Sequence, residues 1–153
     1  MRLARYERAG QVRLATVAGD QLLDILDALD SMGDAPAEAP AWFCDMTALI
    51  EAGPAAARVL KQIAEADIAR APLGTTRLLA PIMPGIILCS GENYWDHREE
   101  KPQVTAKEPE FFIKIPATGV IGPGDDILCD PAVTQKLDYE TELAIVIGKA
   151  GRH

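Results

Sequence analysis

Apolar and polar residues alternate in short runs up to Ile25, and the period then changes. Arg2–Glu7 and Val12–Val17 alternate as strands do, separated by Arg8-Ala9-Gly10-Gln11. Gly19-Asp20 turns the chain into a third run, Leu22–Ile25, so the pattern predicts a β-meander. From Asp24 to Met32 the apolar positions Ile25, Leu26, Leu29 and Met32 take helical spacing, and Gly33 stops the helix. Asp34–Ala41, with Pro36 and Pro40, reads as a loop. Gly53-Pro54 opens a second helix, because proline suits a first turn. Its stripe is Val59, Leu60, Ile63 and Ala64, and it fades near Ala69.

Pro72, Gly74, Pro81, Pro84 and Gly85 punctuate a connector, which places a boundary within Leu73–Pro84. Beyond it come short strand-like runs: Ile86–Cys89, Phe111–Ile115, Asp126–Leu128 and Tyr139–Ile147. Lys101–Pro109 is polar, contains two prolines, and reads as a mobile loop. The resulting expectation is an α+β, β-rich chain with a mixed N-terminal domain at 1–80 and a second domain at 81–153.

Composition narrows the class. At 153 residues the chain is long enough to bury a core, and 48% hydrophobic with 25% charged residues is ordinary for a globular protein. No apolar run approaches the ~18 residues of a membrane span, and Met1–Tyr6 has no apolar leader. Fifteen Lys and Arg against 23 Asp and Glu give a net charge of -8, which argues against a nucleic-acid partner. Cys44, Cys89 and Cys129 are odd in number and far apart, which suits reduced thiols in a cytoplasm.

Two constellations carry candidate chemistry. In Tyr139–Ile147, period two puts Glu140, Glu142, Ala144 and Val146 on one face, and the second half is apolar on both faces. The two carboxylates then sit ~7 Å apart at Cα. At ~4 Å, two such charges repel by about 4 kcal/mol at an effective dielectric of 20, and a divalent cation removes the repulsion. Oxygen ligands favour magnesium, manganese or calcium. The same pattern also fits a strand whose first half simply projects two glutamates into solvent. The second constellation is Asn93–Glu100, where His97 and Glu100 are three apart and share one side of a helical turn. A carboxylate beside imidazole orients a general base; an exposed ion pair gives the same spacing. Gly122-Pro123-Gly124-Asp125 lacks the lysine of a phosphate loop and reads as a turn. Ser90 lacks the glycines of a nucleophile elbow, and Lys114 fits either a site role or an outward-pointing side chain.

Taken together, Ile86–Tyr94, Asp96-His97, Glu100, Phe112-Ile113-Lys114, Ile121–Asp125 and Leu137–Ala144 resemble the fumarylacetoacetate hydrolase family in order and spacing. The resemblance runs from about Ile86 to Lys149. It implies a mixed β-roll, of which this chain holds the first part, behind the N-terminal β-rich domain attached in bacterial members. It implies activity on small 2-oxo or β-diketo acids: C–C hydrolysis, decarboxylation or enol–keto isomerisation. It assigns metal ligation to Glu140 and Glu142, with Mg2+ as the expected cofactor and Mn2+ or Ca2+ as alternatives. His97 becomes the general base and Glu100 its acidic partner on a lid-like turn. A homodimer is implied for the full-length form. The family's third metal ligand, an aspartate, and a catalytic lysine fall on later strands, and the sequence ends at His153 before either. Two other readings stand beside this one: a catalytically silent interaction module needing a complementary chain, and an acidic β-rich domain with incidental glutamates.

Overall fold

The computed structural model describes residues 1–100 and 108–152, arranged in two compact units. One comprises Met1–Ile82 with the residues from Ile121 onward; the other is Met83–Val120.

The first unit is built on the meander. Strand β1 (Arg2–Arg8) pairs antiparallel with β2 (Gln11–Ala18), and β2 with β3 (Gln21–Asp24). Ala9 and Gly10 both take positive φ, 52° and 76°, the geometry of a two-residue turn that matches strand twist. Two-residue strands β4 (Ala71–Pro72) and β5 (Leu78–Leu79) complete the order β4-β3-β2-β1-β5. Edges this short offer little template for stray pairing.

Register decides what each face carries. Arg5 opposes Leu14 and Thr16 opposes Leu23, so Leu14 and Leu23 share one face. Helix α1 (Ile25–Ser31), the short α2 (Ala39–Trp42) and the long α3 (Met46–Ala64) bury their apolar sides with it. Leu14, Leu23, Ile25, Phe43, Leu60 and Ile63 are all buried in this core, each worth about 1.5–3 kcal/mol relative to exposure. The opposite face carries Tyr6 opposite Arg13 and Ala15 opposite Asp24. A smaller apolar cluster of Tyr6, Ala15 and Leu22 lies there.

Two helical expectations change. The loop expected over Asp34–Ala41 ends in α2, because Pro40 sits in its first turn, where a missing N–H costs nothing. The helix expected to open at Gly53-Pro54 begins at Met46 instead, where the Asp45 carboxylate accepts from Ala48 N at 2.9 Å. Gly53 (φ 54°, ψ −128°) then breaks the helical path, so Pro54 does open the second segment.

In the second unit, β6 (Ile87–Gly91) pairs antiparallel with β7 (Glu110–Lys114), with Leu88 opposite Ile113 and Ser90 opposite Phe111. Both lie close to where the pattern put them. Helix α4 (Trp95–Glu99) follows β6, and α5 (Pro116–Gly119) follows β7. Most of the loop expected at Lys101–Pro109 falls outside the described residues.

The strands expected at Asp126–Leu128 and Tyr139–Ile147 do not form. A strand exists only through ladder bonds to a neighbour, and among the described residues neither run belongs to a sheet. Nor is the second run buried on both sides: Leu143, Ile145 and Ile147 are all close to four-fifths exposed. What order there is comes from turns. Gly122 N donates to Asp125 Oδ2 at 2.8 Å, and a β-carbon on Gly122 would stand 3.3 Å from Leu78 O and from Ala80 N. Arg77 pairs with both Glu7 (3.6 Å) and Asp125 (3.7 Å), tying the same turn to β1. Among the described residues, no helix is long and apolar enough to cross a membrane.

Candidate functional site

The chain leaves β6 through Glu92, whose φ of 44° turns it sharply toward α4. Tyr94 is extended (φ −88°, ψ 135°) and caps the helix without a side-chain bond. Glu100, at the other end, keeps helical dihedrals (φ −68°, ψ −20°). His97 and Glu100 therefore both stand on helical backbone, three residues apart and on one side of the turn. The His97 side chain is half-buried and that of Glu100 is exposed. The spacing expectation for this pair is thus realised in backbone terms.

The same short helix carries polar contacts that the sequence reading passed over. Trp95 Nε1 donates to Glu99 Oε1 at 2.6 Å, and Arg98 Nε donates to the Glu92 carbonyl at 2.8 Å. The Trp–Glu separation of four on a helical segment was the available signal.

Glu140 and Glu142 are placed differently from the expectation. They belong to an exposed segment without regular structure, so alternation does not hold them on one strand face. Near them, Tyr139 N donates to Asp138 Oδ1 at 2.8 Å, a local turn that competes with a ladder. As donors they remain two hard carboxylate groups, which suits a cation such as magnesium that takes one or two carboxylates and keeps several waters. Among the described residues, no group of three or more His, Cys, Asp or Glu is gathered to hold a metal ion. His97 and Glu100 lie in the unit Met83–Val120, and Glu140 and Glu142 in the other.

Among the described residues, a dense electrostatic cluster lies elsewhere, on the meander face that carries Tyr6, Arg13 and Asp24. Asp24 accepts from the Tyr6 hydroxyl, from Arg13 Nε (2.9 Å) and Nη2 (2.6 Å), and from Asp27 N (2.9 Å). Burial alone would raise its pKa, but these donors hold the carboxyl below the usual range. Burial, then the Asp24 hydrogen bond, pushes Tyr6 up to about 12. Asp27 is held low chiefly by Arg8, which grips it through Nη1 (2.6 Å) and Nη2 (2.8 Å). Among the described residues, every buried side-chain nitrogen and oxygen has a partner. A saturated network of this kind fastens elements together and leaves no group over for a ligand.

Comparison with known proteins adds the context of these elements. Residues 86–153 match the family model described as fumarylacetoacetate (FAA) hydrolase C-terminal. Human mitochondrial oxaloacetate tautomerase FAHD2B is 38% identical over 109 residues, 71% of this chain and 34% of that protein. A Dictyostelium discoideum fumarylacetoacetate hydrolase domain-containing protein 2 homolog is 36% identical over 96 residues, 63% of this chain and 31% of its own length. The chain thus spans about a third of the curated relatives it matches. Among solved structures, a fumarylacetoacetate hydrolase from Exiguobacterium antarcticum superposes with a TM-score of 0.59 at 26% identity, over 90% of this chain and 43% of that one. A Sphingobium maleylpyruvate hydrolase in complex with manganese(II) and pyruvate gives a TM-score of 0.52 at 28% identity, over 76% and 38% of the two chains.

Proposed function

We propose that this chain, whose residues 86–153 match the fumarylacetoacetate hydrolase family model and whose α+β fold resembles that family's solved structures, supplies the histidine–glutamate pair and two carboxylate ligands of a divalent-metal-dependent enzyme. The substrates are small 2-oxo or β-diketo acids, and the reaction is C–C hydrolysis, decarboxylation or enol–keto isomerisation. The observation that carries this reading is α4: it presents His97 and Glu100 from one side of a helical turn, inside the family-matched stretch. The manganese and pyruvate named for the maleylpyruvate hydrolase neighbour support a divalent cation and a 2-oxo acid ligand.

In this reading Glu140 and Glu142 hold the cation, Mg2+ in the first instance with Mn2+ or Ca2+ as substitutes. When bound, the cation would supply positive charge to a developing oxyanion. His97 accepts a proton at imidazole nitrogen, and Glu100 orients the ring and balances the imidazolium charge. The proposed domains, 1–80 and 81–153, would put all four of these residues in the second domain, whereas in the compact units Glu140 and Glu142 fall with Met1–Ile82. The net charge of -8 disfavours a nucleic-acid partner. The odd number and wide spacing of Cys44, Cys89 and Cys129 accord with a reducing compartment such as the cytoplasm. A homodimer accords with the apolar side chains left in solvent.

Those same side chains favour a second reading, a catalytically silent module that requires a complementary chain. Leu88, Phe111, Leu143, Ile145 and Ile147 are each more than 60% exposed, and exposed apolar surface on this scale marks an interaction face. A turnover assay on acylpyruvate and oxaloacetate, with magnesium or with EDTA, separates the two. Turnover abolished by EDTA and by His97→Ala supports the enzyme. Inactivity of this chain together with activity on adding a partner chain supports the module.

A further inference from the structure

Helix α4 is five residues long, has no side-chain bond at its N-cap, and buries none of its residues. A helix so short is unstable on its own, since nucleation fixes several residues for a single backbone bond. With His97 and Arg98 half-buried and the rest exposed, polar contacts must add to packing in keeping Trp95–Glu99 helical.

We propose that Trp95, Arg98 and Glu99 are positioning residues that brace α4 and so hold His97 and Glu100 on one side of it. This rests on the proposed role of His97 and Glu100. Among the described residues, two contacts form this brace. Trp95 Nε1 to Glu99 Oε1, at 2.6 Å, closes one complete turn. Arg98 Nε to the Glu92 carbonyl, at 2.8 Å, ties the last turn back to the residue whose positive φ launches the helix. Both acceptor or donor groups are charged, which makes such bonds about twice as strong as neutral ones.

The angular arrangement fits this division of labour. At about 100° per residue, Trp95, Arg98 and Glu99 fall within an arc of about 100°. His97 and Glu100 fall about 60° apart on the other side. The bracing atoms therefore do not occupy the face that carries the reactive pair. The consequence of release is large in distance: three residues of extended chain span ~10 Å, whereas i,i+3 neighbours on a helix stand about 5–6 Å apart at Cβ.

The test uses the full-length protein with Trp95→Phe, Glu99→Ala, Glu99→Gln and Arg98→Met. Trp95→Phe keeps an aromatic side chain while removing the indole N–H donor; Glu99→Gln keeps a neutral acceptor. Backbone amide exchange over residues 95–100 reads the brace without any activity. Exchange there should accelerate ~10-fold or more in Trp95→Phe and Glu99→Ala, with the midpoint of global unfolding unchanged, and Glu99→Gln should restore most of the protection. In a turnover assay kcat should fall ~10-fold with KM within about twofold, as expected when a proton-transfer pair is misaligned. Unchanged exchange at residues 95–100 in Trp95→Phe, Glu99→Ala and Arg98→Met would overturn the brace, whatever the activity. Accelerated exchange in a protein whose wild type shows no metal-dependent turnover would keep the brace and refute the assigned reaction.

Discussion

The Tyr6 hydroxyl donates to Asp24 Oδ2, the same oxygen that accepts from Arg13 Nε at 2.9 Å. One buried carboxylate thereby joins β1 through Tyr6, β2 through Arg13, and the start of α1 through the Asp27 amide at 2.9 Å. Asp24 is both the last residue of β3 and the cap of α1.

Removing that carboxylate should unfold the meander first. Asp24→Ala leaves Arg13 without its bidentate partner and strips the cap, at a cost of about 3 kcal/mol. Tyr6→Phe loses a single bond and should cost about 1 kcal/mol. Urea midpoints of the two variants check the order.

The same network fixes the pH range of stability. Asp24 and Asp27 have folded pKa values below their unfolded ones. Their contribution is therefore complete above the unfolded carboxylate value of about 4 and is lost as pH falls through the folded values. Tyr6 is shifted the other way, to about 12. Its contribution is complete below the unfolded value of about 10 and is lost as pH rises from there through the folded value. Thermal midpoints should form a plateau bounded by those two declines, and Tyr6→Phe should remove the alkaline one and, because the Tyr6 hydroxyl helps hold the Asp24 carboxyl low, soften the acid one.

Gly53 occupies φ 54°, ψ −128°, a region that side chains other than glycine's rarely adopt. A β-carbon there meets nothing within 4 Å, so the cost of Gly53→Ala is one of backbone conformation. We expect about 2 kcal/mol of destabilisation in denaturant titration.

For the proposed chemistry, His97→Ala should lower kcat by ~10²–10⁴-fold. Glu140→Gln with Glu142→Gln should weaken magnesium affinity by more than ~10-fold, since both hard anionic donors are lost. Calorimetric titration of the full-length protein reads the second; cation affinity unchanged in the double variant would refute the assigned ligands.

The apolar face of β6 and β7 should drive association. Leu88 and Ile113 are paired across the ribbon, Phe111 lies on the same face, and all three are about 60% exposed. Leu88→Glu with Phe111→Glu should shift sedimentation profiles toward smaller species.

The meander, the turn at Ala9-Gly10, the amphipathic stripe of α3 and the separate strands β6 and β7, though not their pairing, were legible in the sequence. Each is set by neighbours only a few positions apart, through strand alternation, helical period or the φ that glycine permits. The His97–Glu100 spacing was legible for the same reason, since a single helical turn brings the two to one side. Only the tertiary structure decided what Asp24 is for, because its partners Tyr6 and Arg13 stand 18 and 11 positions away and meet it through strand register. It also decided the fate of Tyr139–Ile147. The alternation there is strand-like, but a ladder needs a neighbouring backbone, and an apolar pattern carries no information about whether that neighbour is present.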